Sequence, residues 1–70
     1  MEQKKRWRAK DLEPYYFVGS DGYSIEILDN HQWHDNERFC VGNYFKTDGA
    51  AEACAAEVRE VFIRHAENQG

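Results

Sequence analysis

The feature that most constrains this chain is a run of ring-bearing and β-branched residues on each side of a turn cluster. Tyr15-Tyr16-Phe17-Val18 is followed by Gly19-Ser20-Asp21-Gly22 and then by Tyr23-Ser24-Ile25-Glu26-Ile27-Leu28. Residues of this kind fit a pleated, half-buried surface, and the cluster between them supplies turn chemistry. Asp21-Gly22 suits a type I turn closed by Gly22 in the left-handed region, which glycine enters without a Cβ clash. Pairing across that turn sets Phe17 opposite Ile25. Side chains alternate along a strand, so Tyr15, Phe17, Tyr23, Ile25 and Ile27 share one face, and Tyr16, Val18, Ser24, Glu26 and Leu28 share the other.

The remaining segments are read around this hairpin. Met1 to Glu13 has no apolar period and reads as a basic N-terminal arm, partly mobile, whose Trp7 can dock it. Asp29 to Glu37 is polar apart from Trp33 and reads as a surface loop. Arg38 to Phe45 reads as a third strand that sends Phe39 and Val41 to the core, with a bulge at Gly42-Asn43 and with Cys40 facing outward beside Tyr44. Thr47 is a good N-cap and Asp48 a favourable first-turn anion, so a helix is expected over residues 48 to 67. Ala51, Cys54, Ala55, Val58, Val61, Phe62 and His65 recur on it at helical spacing, small residues first. The expected fold is therefore α+β: a three-stranded antiparallel meander with one C-terminal helix packed on one face, forming a single domain over residues 14 to 70 behind the arm of residues 1 to 13.

Seventy residues leave room for one domain, and Leu, Ile and Val supply only nine of them against ten Phe, Trp and Tyr. The core must be built from rings, and the domain should be marginally stable. No run approaches the ~20 apolar residues of a membrane span, and the start is not that of a secretory signal. Cys40 and Cys54 are expected as free thiols in a reducing cytoplasm. Residues 1 to 10 carry +4 and residues 11 to 70 carry −8, within a net −4. A basic arm and an acidic body favour different partners.

The constellations that could carry chemistry are sparse. His31 and His34 stand near Asp29, Asp35, Glu37 and Cys40, but the spacing lacks the tight ligand pairs of a zinc knuckle, so no metal and no cofactor are assigned. Cys40 near a histidine lacks the cleft and the orienting third group that a nucleophile needs, and no catalytic residue is assigned. Lys4, Lys5, Arg6 and Arg8 flank Trp7, an alternation suited to phosphate neutralisation and base stacking. The acidic body opposes it. One helix covers one side of a thin sheet, which leaves Tyr16, Val18, Leu28, Cys40 and Tyr44 for the folded-back arm with Trp7 and Leu12, for a partner, or for the second copy of a homodimer. Trp33 is either pinned in the core or an exposed anchor of the kind enriched at interfaces.

Trp7 to Gly22 (WRAKDLEPYYFVGSDG), Gly42-Asn43-Tyr44-Phe45-Lys46-Thr47 and the Ala-Glu-rich helix through Val58-Arg59-Glu60 together resemble a family of small phage and prophage proteins. The likeness covers most of the chain, and each shared motif fits a fold role: turn glycine, bulge, N-cap, small-residue helix face. This chain departs from the pattern at Thr47-Asp48-Gly49-Ala50, where Gly49 weakens the first helical turn by about 1 kcal/mol. The resemblance implies a non-enzymatic phage protein of the host cytoplasm that binds and inhibits a host protein. A bacterial defence component is the expected target, as with anti-CRISPR proteins. The residues expected to make that contact are Tyr16, Trp33 and Tyr44 with Glu26 and Glu37, the acids imitating the phosphates that a cationic channel would hold. The alternative is a nucleic-acid-binding accessory or regulatory protein that grips with Lys4, Lys5, Arg6 and Arg8.

Overall fold

In the computed structural model, which describes residues 6–68, the hairpin forms as its sequence predicts. Strand β1 (Pro14–Val18) pairs antiparallel with β2 (Ser24–Leu28) in a register that sets Tyr15 against Ile27 and Phe17 against Ile25. The turn is closed by the Gly22 N–H on the Gly19 carbonyl, with Gly22 at φ +82°. A Cβ at residue 22 would lie 2.7 Å from Cγ of Arg59, whose guanidinium donates to the Gly22 carbonyl, so glycine is required there twice over.

The meander ends with this hairpin. Residues expected as loop and third strand instead form helix α1 (Trp33–Val41), and only Phe45 keeps the strand role, as an isolated bridge to Tyr16. Asp35 reaches back to accept from the Gln32 N–H, and the helix stops at Gly42, φ +91°, with the Asn43 N–H on the Arg38 carbonyl. The expected bulge at Gly42-Asn43 is thus a helix C-terminus. The outer edge of β1 is satisfied differently from a full strand. Phe45 exchanges both backbone hydrogen bonds with Tyr16, and the Asn43 side-chain amide bonds both the N–H and the carbonyl of Val18.

Helix α2 (Asp48–Glu67) has the predicted limits, with Thr47 as N-cap accepting from the Ala50 N–H and Asp48 in the first turn. Its position differs from the expectation. The Ser24 hydroxyl donates to Asp48, and Val18 lines one cavity with Cys54 and Val58, so α2 lies on the Tyr16, Val18 and Ser24 face of the hairpin. Ala51 and Ala55 are fully buried against it, since a residue without a long side chain lets helix and sheet approach closely. The opposite face, of Tyr15 and Phe17, is closed by Trp7, Ala9 and Tyr44, and Arg38 of α1 lies over the Phe17 ring.

Residues 6 to 13 are accordingly part of the packed unit: Ala9 is buried and Trp7 packs on the core, while Leu12 stays exposed. The two faces of one hairpin are therefore covered by different parts of the chain. No helix among the described residues is long and apolar enough to cross a membrane.

Candidate functional site

Two buried carboxylates organise the core side of the hairpin. Asp29, just past β2, accepts from Arg8 Nε at 2.9 Å, from the Tyr44 hydroxyl at 2.5 Å and from the His31 N–H at 2.8 Å. Asp35, in the first turn of α1, accepts from the Tyr15 hydroxyl at 2.6 Å, and Arg38 donates to the same hydroxyl at 2.8 Å. The Tyr15 and Tyr44 rings stack between these two carboxylates, with centroids 4.1 Å apart. The Ala9 N–H donates to the Tyr44 hydroxyl, so arm, hairpin and α1 meet in one hydrogen-bonded cluster.

The electrostatics follow from that wiring. Burial pushes Asp29 upward, but the hydrogen bonds from Arg8, Tyr44 and His31 outweigh it and hold the carboxyl down at about 2. Burial and the hydrogen bond to Asp35 push the Tyr15 phenol up to about 12, against the opposing pull of Arg38. Tyr44 is raised by burial and then by Asp29. Both carboxylates are fully enclosed, and among the described residues no buried side-chain polar atom lacks a partner. Such a cluster holds three parts of the chain together.

The predicted contact residues are dispersed by this arrangement. Tyr44 belongs to the core, and a charged residue there would break the fold rather than report on an interface. Tyr16 is half-buried on the α2 face with its hydroxyl on Glu26, which is exposed. Leu28, the last residue of β2, is exposed, and Cys40 is exposed on α1. The outward patch of Tyr16, Val18, Leu28, Cys40 and Tyr44 is therefore not assembled, because Tyr44 follows a helix and not a strand. Val41, expected in the core, is 74% exposed.

What the structure does bring together is a strip along α1. Trp33 is 73% exposed, and Glu37 and Val41 follow it at intervals of four, so the three share one outward stripe about 12 Å long. Val41 continues the strip into an open groove of about 370 Å³ shared with Val18, Cys54, Val58 and Phe62. Beyond it Phe62 and Ile63 stand exposed on the last turns of α2. Trp33 thus takes the second of its two predicted roles, an unburied ring, and two further residues lie at the surface: Val41, which the strand reading sends inward, and Phe62, which the helix reading sets on the apolar face of α2. Gly42 directly after Val41, a helix-stop signal, could have revealed the strip.

Of the basic residues, Arg8 is committed to Asp29 and to Asn36, whereas Arg6 is exposed, donates to the Phe39 carbonyl and lies over the Phe39 ring. Lys4 and Lys5 lie outside the described residues. His31 and His34 approach different carboxylates, Asp29 and Asp35, and no group of three or more His, Cys, Asp or Glu side chains converges among the described residues. Comparison with known proteins finds no matching family model, curated protein or solved structure.

Proposed function

We propose that this chain is a non-enzymatic binding protein that inhibits a host protein in the host cytoplasm. The observation that carries the reading is the exposure of Trp33 at the head of the α1 strip, in line with Glu37 and Val41 and running into the apolar groove. An exposed indole leaves a large rigid ring available to a partner, and tryptophan is among the residues that dominate interface energetics. The resemblance to small phage proteins supports a host target, and a bacterial defence component suits the net charge of −4. Glu37 within the strip and Glu26 at the hairpin edge supply negative charge that can oppose a cationic surface.

The test is capture of host proteins by the tagged chain against Trp33→Ala and Glu37→Lys. A specific partner should be retained by the wild type and weakened at least tenfold by Trp33→Ala. Identical captures by wild type and both variants would remove the strip from the proposal. A second reading, nucleic-acid binding through the basic arm, is favoured by one observation: Arg6 lines an aromatic cleft together with Lys46.

A further inference from the structure

A second cavity, of about 260 Å³, lies on the side of the molecule where the arm crosses α1 and the segment leading into α2. Its walls are the rings of Trp7, Phe39, Tyr44 and Phe45, and its charged members are Arg6 and Lys46. Gly42 completes the lining, which among the described residues contains no carboxylate although the whole chain is net negative. Asp48, two residues past Lys46, is engaged by the Ser24 hydroxyl, and Asp29 is buried on Arg8 and Tyr44. Arg6 sits 4.0 Å over the Phe39 ring and Lys46 lies 6.0 Å from the Trp7 ring, so both cations hover at ring faces. A cation resting on a ring keeps most of its hydrogen-bond donors available, because the ring uses the charge without accepting from each N–H.

We propose that this cleft binds one nucleotide unit, with the base against the half-buried Trp7 and Phe45 rings and the phosphate between Arg6 and Lys46. Apolar ring surface recognises a planar base irrespective of its sequence, and two cations at its border neutralise a phosphate. The volume is at the small end for ligand sites, which suits a single base with its phosphate at the mouth. The inference rests on the nucleic-acid reading above and is independent of the Trp33 strip. The unit can come from a free nucleotide or from a single strand, since both offer the same base and phosphate.

The experiment titrates a Trp33→Phe background, in which Trp7 is the remaining indole, with AMP, adenosine and a ten-residue oligodeoxyadenylate while Trp7 fluorescence is followed. AMP or the oligonucleotide should quench Trp7, adenosine should bind at least tenfold more weakly than AMP, and Lys46→Gln or Arg6→Gln should each weaken binding about tenfold. Quenching by AMP identifies a free nucleotide as sufficient, and quenching by the oligonucleotide alone identifies a strand as the source. Both residues are exposed, and far-ultraviolet circular dichroism verifies that the variants keep the fold. Absence of quenching by either phosphorylated probe, or quenching undiminished in Lys46→Gln and Arg6→Gln, overturns the proposal. An oligonucleotide that still binds those two variants but is lost in the Lys4→Gln, Lys5→Gln double variant overturns the cleft while keeping the arm as a phosphate grip.

Discussion

Asp29 shows how one residue can decide the position of several segments. Its carboxylate is out of water, and four groups from three parts of the chain converge on it or its partner: Arg8, the Ala9 N–H, the His31 N–H and the Tyr44 hydroxyl. Because its folded value is depressed to about 2 from 3.8, the unfolded chain takes up the proton first as pH falls. The stabilisation is therefore complete above about pH 5 and disappears as pH drops through 4 towards 2, an expected loss of about 2 kcal/mol. Urea unfolding at pH 6 and pH 2.5 should show that acid limb, and Asp29→Asn should flatten it while lowering stability at pH 6. Tyr44→Phe should cost about 1–3 kcal/mol at neutral pH, since it leaves the Ala9 N–H without its acceptor and Asp29 without one donor. The spacing of Asp29, Asp35 and their partners carries no local signal for this cluster. Arg8 and Asp29 are 21 residues apart, and only folding makes them neighbours.

At the scale of elements, the hairpin and α2 were legible because each is specified by local chemistry: alternation around Asp21-Gly22 in one, an N-cap and a small-residue face in the other. Helix α1 was not. Arg38-Phe39-Cys40-Val41 has strand propensity, and the polar stretch before it lacks an apolar period, so pattern and propensity both pointed away from a helix. Tertiary contacts override them: Asp35 and Arg38, one turn apart, both engage the Tyr15 hydroxyl only if the segment is helical. The stop at Gly42 is part of the same device. Gly42→Ala should cost about 1 kcal/mol through the left-handed backbone alone, because no atom lies within 4 Å of the added Cβ. Thermal unfolding should register the loss, and D-alanine at position 42, made by synthesis, should abolish it.

The whole molecule is less compact than its length requires. Its radius of gyration is 13.8 Å with extents of 45 × 32 × 23 Å, against about 11 Å for an average 70-residue domain. The cause is a mismatch of lengths: α2 has 20 residues and spans about 30 Å, whereas five-residue strands span about 17 Å. Its last turns overhang the sheet, and every residue from Glu60 to Asn68 is exposed. Amide hydrogen exchange should therefore be slow around Ala55 and Val58 and fast from Ile63 to Glu67, because the latter have only the helix itself to hold them. Protection appearing there on addition of a partner would extend the proposed interface along α2. The candidate docking strip was visible in sequence only as Trp33 and Glu37. Val41 and Phe62 joined it because a helix replaced a strand and because α2 is longer than the surface it covers.

Sequence by itself determined the register of the hairpin, the limits of α2 and the ring-built character of the core, since each follows from alternation, capping or composition within a few neighbouring residues. The tertiary structure alone decided which face α2 covers, whether residues 33 to 41 coil or extend, and where the arm of residues 6 to 13 goes. The last two of those choices turn on the burial of Asp29 and Asp35, and the first on the contacts of Asp48 and Arg59 with the hairpin. A carboxylate in the interior must collect its donors from wherever the chain can bring them, and that requirement is written in no single stretch of sequence.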